Sequence, residues 1–81
     1  MIFTDGTHLV SDKSTAELHE FAGRIGLKRE WFQGHNQASP HYDILARRIY
    51  QRAVKFGAIE TDGKGVVYAL RRWRANQGGK T

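Results

Sequence analysis

The spacing of apolar residues along this chain changes several times, and each change marks an element. Met1 to Thr4 is a short β-branched and aromatic run stopped by Asp5-Gly6, which predicts a first strand running into a tight turn. His8-Leu9-Val10 reads as a second short strand. The spacing then lengthens: Leu18, Phe21, Ala22 and Ile25 fall at i, i+3, i+4 and i+7, one stripe of a helix. Ser14-Thr15-Ala16-Glu17 precedes it with capping-box spacing, in which the Ser14 hydroxyl accepts from the Glu17 amide and the Glu17 carboxylate reaches back. Gly26 supplies the left-handed residue that ends the helix, with Leu27 folding back over it.

Arg29-Glu30-Trp31-Phe32-Gln33 is too short for another helix and has strand-forming aromatics at its centre, so a core strand is predicted there. Gly34 and the polar segment Asn36-Gln37-Ala38-Ser39 form the loop after it. Pro40 suits the first turn of a helix, where its missing N–H is not needed, with Ser39 or Asp43 as the cap. That second helix places Tyr42, Leu45, Ala46, Ile49, Ala53 and Phe56 on one face, has Arg47, Arg48, Gln51, Arg52 and Lys55 opposite, and ends at Gly57. Ala58 to Thr61 is a further core strand. After Asp62-Gly63 the pattern admits an amphipathic helix carrying Val66, Val67, Leu70 and Trp73, or a hairpin turn into a strand at Gly65 to Tyr68. The helix is favoured, because Arg71, Arg72 and Arg74 suit the negative end of its dipole.

The order strand, strand, helix, strand, helix, strand, helix predicts a single α/β domain over residues 1–75 and a disordered tail over residues 76–81. Its architecture is a small sheet of three to four short strands covered by two to three helices, with right-handed crossovers between parallel strands. In such sheets the strand ends and the following helix starts share one edge, where ligands bind. Asp5, His8, Gln33, His41, Tyr42 and Asp43 would lie along it.

Eighty-one residues allow one small core, and with no cysteine there is neither a disulfide staple nor a thiolate metal site. Stability then rests on that core or on self-association into a homo-oligomer. No apolar run approaches a signal segment or a membrane span, so a soluble, cytoplasmic protein is expected. Thirteen Lys and Arg against eight Asp and Glu leave a formal charge of +5, which attracts nucleotides, nucleic acids or acidic proteins.

The densest chemistry is Ser39-Pro40-His41-Tyr42-Asp43. Beside the positive end of a helix, the imidazole of His41 is favoured in its neutral form, able to act as base or ligand. Asp43 either orients it or caps the helix. Asp5 serves a turn or a site equally well, and His8 interrupts an apolar strand. His19 should be solvated on the polar side of the first helix, and no role follows for His35. There is no H-E-x-x-H, no cysteine pair and no clustered aspartates, so neither a metal nor a cofactor is expected. Nucleophilic serine chemistry lacks its G-x-S-x-G. Two-histidine phosphodiester chemistry by His8 and His41 lacks a repeated H-x-Thr or H-x-Ser clamp.

Ile2-Phe3-Thr4-Asp5, His8-Leu9, Glu17-Leu18-His19, Gly26-Leu27, Trp31-Phe32-Gln33, His41-Tyr42-Asp43 and Gly57-Ala58 together resemble a family of small bacterial and phage proteins catalogued only as a domain of unknown function. The resemblance runs from about Ile2 to about Thr61, and the loop between Asp5 and His8, here Gly6-Thr7, is shorter than in that family. It implies no established activity. If phage-encoded, a protein of this kind would work in the host cytoplasm, where sequestering a signalling nucleotide is a fitting purpose.

Binding asks less of these residues than catalysis does. Helix starts offer N–H groups to phosphate, Arg47 and Arg48 can fork onto its oxygens, and Trp31 or Tyr42 can stack on a base. The reading is therefore a binder of a nucleotide or another phosphate-bearing small molecule, contacted by Asp5, His8, Trp31, Gln33, His41, Tyr42, Asp43, Arg47 and Arg48. Three alternatives stand beside it. Arg47, Arg48, Arg52 and Lys55 with Arg71, Arg72 and Arg74 would bind nucleic acid non-specifically; His8, His41 and Asp43 would serve a phosphoester hydrolase; the basic face would meet an acidic protein as an inhibitor or adaptor.

Overall fold

The computed structural model describes residues 1–34 and 39–78. Its elements are β1 (Ile2–Thr4), β2 (His8–Ser11), α1 (Thr15–Arg24), a 3₁₀ turn at Arg29–Trp31, β3 (Phe32–Gln33), β4 (His41–Asp43), α2 (Arg47–Lys55), β5 (Ile59–Glu60) and α3 (Gly63–Gly78). The strands form one five-stranded mixed sheet in the order β3-β4-β2-β1-β5, an α/β arrangement with one strand more than the sequence suggested. Among the described residues β1 and β5 are the one parallel pair and the other three pairs are antiparallel, so most of the expected parallel crossovers do not form.

Register sorts the side chains onto two faces. Leu9 pairs with Tyr42 and Tyr42 with Phe32, so these three share a face and pack with Leu18, Phe21, Ala22, Ile25 and Ala53. Phe3 pairs with Val10 on the opposite face, where α3 covers them with Val66, Ala69 and Leu70. Because side chains alternate along a strand, His8, His41, Asp43 and Gln33 fall on this second face, beyond the part that α3 covers.

The first helix forms as its caps dictate, with one change. Ser14 Oγ accepts from the Glu17 amide at 3.0 Å, but the Glu17 carboxylate takes the Ser11 hydroxyl at 2.6 Å instead of the Ser14 amide, which Ser11 Oγ satisfies at 3.1 Å. Gly26 and Gly57, at φ +92° and +110°, end α1 and α2 alike: the next residue's N–H returns to the carbonyl five residues back, Leu27 to Ala22 and Ala58 to Ala53, each at 2.9 Å.

Two elements differ from the sequence reading. Only Phe32 of the 29–33 segment reaches the core, so the expected strand shrinks to an edge pair behind a 3₁₀ turn, and Trp31 is 47% exposed. The helix expected from Pro40 begins at Arg47, because His41-Tyr42-Asp43-Ile44 alternates exposure as a strand does and is paired on both sides, by β2 and β3. Leu45 and Ala46, assigned to a helical core face, are exposed, Leu45 at 90%, and so is Phe56; Ile49 and Ala53 face the core as expected, joined by Tyr50.

After β5 the helix alternative is the one that forms. Asp62 Oδ1 accepts the Gly65 amide at 2.9 Å, and α3 continues through Gly78, past the boundary expected at residue 75. Asn76 and Gln77, expected in the tail, reach the carbonyls of Asp12 and Lys13. The expectations for residues 79–81, for the loop at 36–38 and for His35 lie outside the described residues.

Candidate functional site

The site stands where β1, β2 and β4 meet the start of α2. The turn from β1 to β2 is built by Asp5, whose Oδ1 accepts the backbone N–H of Thr7 at 2.9 Å and of His8 at 2.8 Å, while Oδ2 lies 3.0 Å from His8 Nδ1. Burial works against ionising this carboxyl, but the His8 ring and the two amides outweigh it and hold its pKa below the ordinary value. An ionised carboxylate only accepts, so His8 carries a proton on Nδ1.

His8 stands opposite Asp43 in the β2–β4 register, and Gln33 opposite His41 in β3–β4. The rings of His8 and His41 meet edge to face with centroids 5.5 Å apart. His41 Nδ1 donates to the Ser39 carbonyl at 2.8 Å, and its Nε2 lies 3.4 Å from Asp43 Oδ1. The other oxygen of Asp43 accepts from the Gln33 amide. Asp5, His8, His41, Asp43 and Gln33 thus form one continuous polar row. With no helix at His41, the dipole argument for its neutral form falls away, and so does the capping role for Asp43.

Tyr42, expected as a ligand contact, points the other way. It is 1% exposed, its hydroxyl meets His19 Nδ1 at 2.7 Å, and burial raises its pKa despite the opposing charge of Arg29. His19, expected in solvent, packs edge-on against Phe32 and Tyr42 with centroids 4.6 and 5.8 Å apart. Tyr42 therefore supports the row from beneath.

Two hollows flank Leu45-Ala46, immediately before α2. One, of about 580 Å³, is walled by Trp31, Leu45, Ile49 and Leu27, with Gln33, Asp43, Glu30 and Arg48 as its polar groups. The other, of about 500 Å³, is lined by Gly6, Ile44, Tyr50, Gln51 and Arg47, and among the described residues Arg47 is its one charged lining residue. The Tyr50 hydroxyl is committed to Glu60, whose carboxylate raises its pKa. The first hollow touches the polar row through Gln33 and Asp43; the second reaches Gly6, in the turn between Asp5 and His8, but is lined by no residue of the row.

Between the hollows α2 begins with Ala46 at its cap and no side-chain hydrogen bond there. Its first turn carries Arg47 and Arg48 and no acid, the reverse of what a helix dipole favours. The structure therefore brings together Asp5, His8, Gln33, His41 and Asp43, sets Trp31 and Arg48 on one hollow and Arg47 on the next, and removes Tyr42. Sequence reasoning missed Leu45 and Ile49 as lining residues because apolar periodicity assigned them to the core. Among the described residues no group of three or more His, Asp or Glu converges as a metal would require.

Fold and site define a small basic α/β protein with a histidine–carboxylate row at the end of its sheet. A family model described as a protein of unknown function (DUF4031) matches residues 4–73, and the chain belongs to that family. No curated protein and no solved structure matches it. No helix among the described residues is long and apolar enough to cross a membrane.

Proposed function

We propose that this protein binds a phosphate-bearing, nucleotide-class ligand in the cytoplasm, across the two hollows at the start of α2. The observation that carries this reading is the first turn of α2, which has no side-chain cap and carries Arg47 and Arg48 with no acid. Such a turn is a ready anion site. The lining charges orient the ligand. Glu30 and Asp43 disfavour phosphate in the Trp31 hollow, whereas the second hollow offers Arg47 without a carboxylate in its lining. The phosphate then lies at Arg47 and the helix start, and the planar, apolar moiety against Trp31, Leu45 and Ile49. A volume of about 580 Å³ falls within the range of small-ligand pockets, roughly 300–1,000 Å³.

Calorimetric titration with mono-, di- and cyclic nucleotides tests this. Heat of binding is expected, with affinity reduced about tenfold by Arg47→Gln, as suits one lost charge-assisted hydrogen bond, and with Trp31 fluorescence changed on binding. No heat with any nucleotide at millimolar concentration would refute it.

A second reading has its own observation. Lys64, Arg71 and Arg74 lie on α3, which carries no acid, and Arg71 stacks 5.6 Å from the Tyr68 ring beside exposed Val67. Such a face suits a nucleic-acid strand. A gel-shift series that does not weaken as salt rises would exclude it.

A further inference from the structure

We infer that His8 and His41 are the base and acid of a phosphodiester transfer on an RNA-type substrate, a step that rests on the nucleotide reading above and adds turnover to it. Each imidazole is anchored at Nδ1, His8 by Asp5 Oδ2 at 3.0 Å and His41 by the Ser39 carbonyl at 2.8 Å. Anchoring Nδ1 to an acceptor orients each ring; in His8 it leaves Nε2 for chemistry, and in His41 it turns Nε2 toward Asp43 Oδ1 at 3.4 Å. No hydrogen bond within the described residues occupies His8 Nε2.

The surroundings of the two rings differ, and the difference assigns their roles. Behind His8 stands an ionised carboxylate that stabilises the imidazolium formed when Nε2 accepts a proton, which suits a base. Beside His41 Nε2 stands the carboxylate of Asp43 at 3.4 Å, itself held by Gln33, a setting that suits the acid's part. The ring centroids are 5.5 Å apart, so one phosphodiester laid across the pair is within reach of both imidazoles. Among the described residues, the charged groups that meet these rings, apart from each other, are Asp5 and Asp43.

The nucleophile follows by elimination within the site. The chain has no cysteine, and within the described residues no serine or threonine hydroxyl is hydrogen-bonded to either ring. A base and an acid without a side-chain nucleophile suit a substrate that brings its own. The ribose 2′-hydroxyl beside a phosphodiester is such a group. His8 Nε2 takes the 2′-hydroxyl proton, the O2′–P bond forms, the P–O5′ bond breaks, and the leaving O5′ takes the proton of His41 Nε2. The products are a 2′,3′-cyclic phosphate and a 5′-hydroxyl. Proton exchange with water resets the two rings, and no oxidant, metal or co-reactant enters the balance. The formal charge of +5 favours encounter with the polyanion.

The test incubates the full chain with a short end-labelled RNA and identifies termini by mass spectrometry. Cyclic phosphate ends are expected, with a bell-shaped pH–rate profile and no scission of the matching DNA or 2′-O-methyl strand. His8→Ala and His41→Ala should each slow the rate by about 10²–10⁴, the usual contribution of a positioned acid or base. Circular dichroism checks folding, and His8→Gln and His41→Gln serve if the alanine variants unfold. Asp5→Asn, at a positioning residue, should move the pH profile as well as lower it. Calorimetry with a 2′-deoxy dinucleotide separates the two readings. Binding without RNA scission overturns the catalytic step alone, and absence of binding overturns the nucleotide site. Scission at equal rates in wild type and both histidine variants overturns the catalytic step.

Discussion

Asp5 grips His8 at two points, accepting its backbone N–H at 2.8 Å and facing its ring Nδ1 at 3.0 Å with the other oxygen. One carboxylate thus shapes the β1–β2 turn and aims the imidazole. Asp5→Ala leaves the amides of Thr7 and His8 without this acceptor and should cost about 1–3 kcal/mol. Asp5→Asn keeps an oxygen for the amides and should cost less. Urea denaturation of both variants gives the comparison, and equal midpoints for Asp5→Ala and wild type would remove Asp5 from the turn.

Acid should destabilise the protein through three carboxylates. For Asp5, Asp12 and Glu17, burial works against ionisation but is outweighed by hydrogen bonds and charge: His8 and two amides at Asp5, the Met1 amine and Arg72 at Asp12, the Ser11 hydroxyl and Met1 amine at Glu17. All three pKa values lie lower in the folded state, so the unfolded chain binds more protons as pH falls. Their stabilisation is present above the ordinary carboxylate range, about pH 4, and is lost as pH drops through the folded values. Urea midpoints should fall between pH 6 and pH 3, and Asp5→Asn should flatten the slope.

Two glycines at the start of α3 should respond oppositely to alanine. A Cβ on Gly65 would lie 2.7 Å from Thr61 Cβ and closer still to Thr61 Oγ1, whereas one on Gly63 meets nothing within 4 Å. Gly65→Ala should lower stability by about 1–3 kcal/mol through overpacking. Gly63→Ala should be neutral or stabilising by up to about 1 kcal/mol, because alanine loses less backbone entropy in a helix. Thermal melts decide, and equal effects of the two changes would contradict the close packing at Thr61.

Tyr42→Phe should cost about 0.5–1.5 kcal/mol, since it removes the hydroxyl that meets His19 without changing the buried ring. The raised pKa of Tyr42 means that its contribution is complete below about pH 10 and declines as pH rises through the folded value. Loss of binding with unchanged stability in Tyr42→Phe would put this residue back in the site.

Legibility in the sequence followed the range of the interactions. Ser14 and Glu17, or Gly26 and Leu27, meet within one turn, so α1 and both its ends were readable from spacing. His41-Tyr42-Asp43 was not. Pro40 suits the start of a helix and of a strand alike, and a four-residue alternation is too short to separate them. What decides is the pairing of Tyr42 with Leu9 on one side and Phe32 on the other. The same holds for Leu45, whose helical spacing pointed inward while α2 begins only after it. Strand order also escaped the sequence, and with it the antiparallel pairings that the expected crossovers left out.

By itself, then, the sequence determined the α/β character, the Ser14 cap of α1, the glycines that end α1 and α2, the basic balance and the family, because these depend on near neighbours or on summed composition. It also named the residue types of the row. Only the tertiary structure decided that His8 and His41 lie edge to face, that Tyr42 turns from them into the core, and that Arg47 and Arg48 open a helix without a cap. Those placements come from strand register, in which alternate residues take opposite faces, and register is set by partners distant along the chain.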